Sequence, residues 1–273
     1  MSTEQSIVND KEKAKAFLAS MSNVAEAEGV NFLFLGVAGV GKTHLMKTAQ
    51  FPLLLDSFDV GGYRTLQEEI DKGLVIVRTW DADDPNTFPK WQAQLEADQR
   101  NGVHKMVNTY SLDSLSSWLR AMVTYLVAKE GRSQKHLGLE SSLQLNDYGV
   151  ILRSTMKIIG NICQFPCHFM LTAHTKVIEN EENKVAQVVL NGIGRQLEAD
   201  LPTLFDELYF IKTKKNLRDR QAPDTRVLVM GIDGQYGGRS RINGGGKLPQ
   251  KLEGDDVNIS KILLNTGFLI EGR

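Results

Sequence analysis

Gly36-Val37-Ala38-Gly39-Val40-Gly41-Lys42-Thr43 follows the apolar run Asn31-Phe32-Leu33-Phe34-Leu35 and precedes the helix-compatible run His44 to Gln50. The stretch fits G-x-x-x-x-G-K-[ST], in which glycines let successive backbone N–H groups turn toward phosphates and a lysine reaches the β and γ oxygens. Thr43 offers a hydroxyl to Mg²⁺, and a helix opening here presents its positive end to anions. Four fixed positions recur by accident in about one in a hundred chains of this length. A strand before the loop and a helix after it remove most of that risk. The sequence is therefore read as binding a nucleoside triphosphate through Gly36, Val37, Ala38, Gly39, Val40, Gly41, Lys42, Thr43 and His44, with magnesium at Thr43.

Composition bounds the rest. The 273 residues are long for one average domain but ordinary for a single α/β nucleotide-binding fold with insertions. Hydrophobic residues at 41% and charged residues at 24% are globular values, and a net charge of −1 gives no whole-chain attraction to nucleic acid or membrane. Basic surface must then be local, and Lys212 to Lys251 carries such an excess, including Lys212, Lys214, Arg226, Arg239, Arg241 and Lys251. Cys163 and Cys167, the two cysteines, cannot complete a four-sulfur metal site and are expected to be reduced thiols. The N-terminus shows no basic segment leading into an apolar one, and no run reaches 18 apolar residues. A soluble cytoplasmic protein without a membrane span is expected.

Periodicity places the motifs. Strands are expected at 32–35, 51–56, 74–77, 104–113 and 166–174, alternating with helices at 42–50, 88–100, 114–130 and 147–162. That alternation predicts an α/β fold, a mostly parallel central sheet with helices on both faces. Residues 1–29 read as an N-terminal helical extension with apolar Phe17, Leu18, Met21 and Val24 at helical spacing. Residues 131–146 read as a polar loop, Lys176-Val177-Ile178 with Val185 to Leu190 as a hairpin, and 206–211 and 226–230 as late strands. A core over 30–245 and a tail over 246–273 packing on it complete the expected organisation.

Triphosphate hydrolysis needs more than a phosphate loop: a second metal contact, a group to orient water, and a sensor of the γ-phosphate. Asp113 ends a strand and fits the metal role, with a helix N-cap as the alternative. Asp56 and Asp59 compete to orient or deprotonate water at the end of the second strand, against the simpler reading of turn aspartates before Gly61. His174 closes the next strand, where it can contact the γ-phosphate. Arg239-Ser240-Arg241, after Gly237-Gly238, reads either as solvated surface or as arginine fingers reaching a neighbouring subunit's triphosphate.

The order Gly36 to Thr43, Asp56 to Gly62, Thr109-Tyr110-Ser111-Leu112-Asp113-Ser114, Asp147-Tyr148-Gly149, Thr172-Ala173-His174 and Arg239-Ser240-Arg241 resembles the RecA-like ATP-binding proteins of bacteriophages. The resemblance covers roughly residues 30 to 245 and implies a three-layer RecA-like P-loop core that binds ATP and Mg²⁺. It further implies Asp113 as the acidic motif, His174 as the polar sensor and the arginine pair as fingers acting across a homo-oligomer, ring or filament. RecA-type enzymes carry a glutamate at the end of the second strand, whereas this chain has Phe58 between Asp56 and Asp59. Members engage single-stranded DNA through loops that correspond here to 131–146 and 175–194, and act beside phage recombination or single-strand-binding proteins. Alternatives of another class are a nucleotide-dependent assembly switch or loader with little hydrolysis, and a DNA packaging or helicase-type motor.

Overall fold

The computed structural model describes residues 29–129, 143–179, 186–215, 224–243 and 246–270. The sequence expectations for 1–28 and for most of the 131–146 loop lie outside these residues.

Strand β1 (Asn31–Leu35) is buried on both sides, and its side chains divide by parity. Phe32 and Phe34 stack at 5.6 Å on one face of the sheet, whereas Leu33 and Leu35 enter the core on the other. The same alternation runs through β2 (Leu53–Ser57), β4 (Thr109–Asp113), β5 (His168–Ala173) and β8 (Glu207–Lys214). Burial on both faces is why these segments read as nearly continuous apolar runs. With β3 (Val75–Thr79) they form a parallel array in the order β8-β1-β5-β4-β2-β3, and β9 (Thr225–Val229) extends it antiparallel to β8.

Helices cover both faces. On one side lie α3 (Thr87–Arg100), α4 (Leu115–Lys129) and α5 (Leu145–Ile162), which bury Trp91, Trp118 and Ile159 against the Leu33 face. On the other lie α1 (Lys42–Leu45), α2 (Gln67–Asp71) and the late helix α7 (Ile259–Thr266). Leu45, Ile262 and Leu263 belong to the Phe32 face. The molecule is thus the three-layer, mostly parallel α/β core of a RecA-like P-loop fold. Among the described residues no helix is long and apolar enough to cross a membrane.

Local outcomes differ from the periodicity in places. The fourth strand starts at Thr109 rather than near residue 104, because His104 leaves the strand line to lie buried on Phe165, ring centroids 3.8 Å apart. The glycine-rich stretch from Gly231 onward contributes short strands β10 (Ile232–Asp233), β11 (Tyr236–Gly237), β12 (Arg239–Ser240) and β13 (Lys251–Glu253). The expected hairpin forms as β6 (Thr175–Glu179) and β7 (Ala186–Leu190), and with β10 and β11 it makes a separate small sheet. Between β7 and β8 stands α6 (Arg195–Asp200), too short to leave a readable period.

Candidate nucleotide site

The phosphate loop leaves β1 at the carboxyl edge of the sheet, where open α/β sheets gather their ligands. Its glycines answer to geometry. A Cβ on Gly36 would stand 2.8 Å from Val40 Cγ1 and 2.9 Å from Ile211 O, while Gly41 has φ +96, a left-handed conformation that side chains disfavour. The loop borders a cleft of about 510 Å³, a volume suited to a small-molecule ligand.

Lys42 is buried at the base of this cleft, 7% exposed. Its ammonium donates to the Gly36 carbonyl at 3.0 Å and the Val37 carbonyl at 2.9 Å, and lies 3.3 Å from His174 Nδ1. Burial lowers its pKa, and the charges of Asp113 and Asp59 pull it back up. Thr43 donates its hydroxyl to Asp113 Oδ2 at 2.7 Å. Asp113, 1% exposed at the end of β4, takes a second hydroxyl from Thr172 of β5 on its other oxygen. Burial raises the Asp113 pKa, against the two hydroxyls that lower it. A desolvated carboxylate paired with a threonine hydroxyl is a hard-oxygen donor set, the kind Mg²⁺ takes together with phosphate oxygens. Gly62 leaves room beside it: a Cβ there would lie 3.8 Å from Asp113 Oδ2 and 3.9 Å from Thr43 Oγ1. The residues present therefore fit the metal.

Asp59 lines the same cleft, its Oδ1 accepting hydroxyls from Ser114, at 3.0 Å, and from Ser117. His174 lines it too. Burial lowers the His174 pKa first and the adjacent Lys42 charge second, which favours the neutral ring. Through its carbonyl, His174 accepts the Asn191 N–H at 2.8 Å, tying the cleft to the end of β7. Ala38, Gly39 and His44 also line the cleft, while Val40 is buried beneath the loop and Val37 is exposed.

Asp56 requires a correction. It is fully buried on the face of β2 that Leu54 also occupies, away from the cleft, and its two oxygens are taken by five donors. Arg78 forks onto it at 2.7 and 2.8 Å, with the indoles of Trp80 at 2.9 Å and Trp91 at 3.1 Å and the Tyr110 hydroxyl at 2.7 Å. No capacity remains to orient water, so Asp56 is a structural anchor.

The arginine pair lies at the other end of the sheet. β12 pairs with Glu207 and Leu208, the first residues of β8, so Arg239 and Arg241 stand at the edge opposite the phosphate loop. Arg239 donates to the carbonyls of Pro202 and Phe205 in its own chain, while the half-exposed Arg241 donates to Thr203 O and faces Asp206. Neither reaches the cleft of its own subunit. Sequence reading missed Asp81, Asp83 and Arg120, which line the cleft, Arg120 pairing with Asp83. The two aspartates follow the end of β3, so the strand-end argument applied to Asp59 points at them as well. Arg120 stands one helical turn after Ser117 on α4 and carries no signal of its own.

A family match covers this whole arrangement: the AAA domain family matches residues 28–242. The chain belongs to the AAA domain family. The matched span holds the loop, Asp59, Asp113, His174 and both arginines, so the AAA-type P-loop domain accounts for most of the chain. Among solved structures, a prototypical ATPase from the type III secretion system of pathogenic bacteria is similar at 13% identity and a TM-score of 0.42. That likeness covers 67% of this chain, and the chain spans 52% of that structure. No curated protein matches the sequence.

Proposed function

We propose that the chain binds ATP with Mg²⁺ and hydrolyses it, the nucleotide lying in the cleft at the phosphate loop. The observation that carries this reading is the Thr43 to Asp113 hydrogen bond, 2.7 Å long, with Lys42, Asp59 and His174 converging on one cleft. Thr43 and Asp113 would hold the magnesium, which supplies charge neutralisation at the β and γ oxygens. Lys42 exchanges the Gly36 and Val37 carbonyls for phosphate oxygens. Asp59, kept in orientation by Ser114 and Ser117, positions the attacking water and accepts its proton. Neutral His174 meets the γ-phosphate and passes its presence to β7 through Asn191.

The resemblance of the motif order to phage RecA-like proteins supports the finer reading. In it the chain forms a homo-oligomer with nucleotide between subunits and couples turnover to single-stranded DNA in recombination or replication. Arg241 is the better finger, since its half-exposed guanidinium gives one carbonyl bond, to Thr203, and a loose pairing with Asp206, whereas Arg239 is part-buried on two carbonyls of its own chain. A second reading, an assembly switch that hydrolyses slowly, is favoured by the serine hydroxyls already bonded to Asp59.

Steady-state ATPase assays with and without single-stranded DNA decide between them. Lys42→Ala is expected to abolish turnover, and DNA to stimulate the unmodified protein. Full activity in Lys42→Ala overturns the enzymatic reading; turnover indifferent to DNA favours the switch.

A further inference from the structure

Arg226 is absent from the expected set of ligand-binding residues, yet it lies against the phosphate loop. It is the second residue of β9 and pairs in register with Thr213, near the end of β8. Because β8 runs parallel to β1 and β9 returns antiparallel, β9 begins at the sheet edge from which the loop springs. Face parity fixes its side. Val227 and Val229 point to the α3–α5 layer and Leu228 and Met230 to the α1 layer, so Arg226 shares the α1 face.

The contact with the loop is close. A Cβ placed on Gly41 would stand 2.8 Å from Arg226 Nε and 3.5 Å from its Cζ, so any side chain at Gly41 would displace the guanidinium. The Arg226 charge also lies within electrostatic reach of His44, the residue after Thr43. Among the described residues no carboxylate forms an ion pair with Arg226, whereas neighbouring Lys212, Lys214 and Lys251 are paired with Asp233 or Glu253. A half-buried guanidinium that no described carboxylate pairs, beside N–H groups that themselves seek an anion, raises the local positive potential.

We infer that Arg226 is a nucleotide-binding residue that hydrogen-bonds the α/β-phosphate end of the bound nucleoside triphosphate, beside the loop N–H groups. The inference rests on the nucleotide reading of the cleft. The γ end belongs to Lys42 and His174, which meet each other 3.3 Å apart. Arg226 lies instead over Gly41 and near His44, in the part of such loops that cradles the α and β phosphates. It therefore acts alike on ADP and ATP, unlike a finger that senses the γ-phosphate.

Calorimetric titration of wild type, Arg226→Ala and Arg226→Lys with Mg²⁺-ADP and Mg²⁺-ATP tests this. Arg226→Ala is expected to weaken both nucleotides by the same factor, about tenfold or more. Arg226→Lys, a point charge without the planar fork, recovers part of the loss and shows that the scaffold survives substitution. Unchanged ADP affinity, or a loss confined to ATP, overturns the assignment while leaving the nucleotide reading intact. Failure of the wild-type protein to bind either nucleotide overturns both.

Discussion

Asp56 and Asp59 stand three residues apart and meet opposite surroundings, which separates their expected mutant behaviour. Removing Asp56 leaves Arg78 without its forked partner and strands the Trp80, Trp91 and Tyr110 donors. Breaking a buried ion pair from one side costs about 3–5 kcal/mol. Asp56→Ala is therefore expected to lower unfolding stability by about that amount in denaturant titration. Asp59→Ala should leave the unfolding midpoint nearly in place and cut turnover by about 10²–10⁴-fold, the usual contribution of a positioned general base. A stable Asp56→Ala or an active Asp59→Ala contradicts this division. Strand parity separates the two before any experiment: Asp56 shares its face with Leu54, under the tryptophans, whereas Asp59 lies beyond the strand. What the sequence does not supply is the donor set, because Arg78, Trp91 and Tyr110 arrive from three other elements.

At the scale of elements, α7 shows how the tail becomes part of the core. Its N-cap Asn258 accepts the Lys261 N–H, and Ile259, Ile262 and Leu263 are buried with Phe32, Phe34 and Tyr209. The Thr48 hydroxyl accepts the Ile259 N–H at 3.0 Å, linking the tail to the turn after α1. Leu263→Ala, at a site with no exposure, should cost about 2–5 kcal/mol, read as a drop in thermal midpoint. A change within experimental error would mean that the tail packs independently of the phosphate-loop layer. The long elements were legible because each carries a period: β1, β5 and β8 as apolar runs buried on both faces, α5 as a helical stripe. The strand ends carrying Asp113 and His174 followed from them. Strands β10 to β12 have two residues each, and α6 has six, so neither builds a repeat that pattern reading can detect. Arg226 escaped for a related reason, since its meaning depends on β9 returning to the loop edge.

The whole molecule places its nucleotide cleft at one edge of the sheet and Arg241 at the opposite edge, too far apart to serve one another within a chain. A head-to-tail assembly brings such opposite edges together, each subunit offering its arginine edge to the next subunit's cleft. In the head-to-tail assembly proposed above, Lys42 and Arg241 would be complementary across an interface. Lys42→Ala subunits have a dead cleft but an intact Arg241; Arg241→Ala subunits have the reverse. Mixing the two inactive variants in equal amounts should regenerate about one quarter of wild-type interfaces by random pairing, and with them about that share of ATPase activity. If Arg241 acts only to hold Thr203 and Asp206 of its own chain, the mixture shows no more activity than the sum of its parts. Arg239→Ala serves as the control. It releases the carbonyls of Pro202 and Phe205, so its effect should appear as lost stability that no partner subunit can restore.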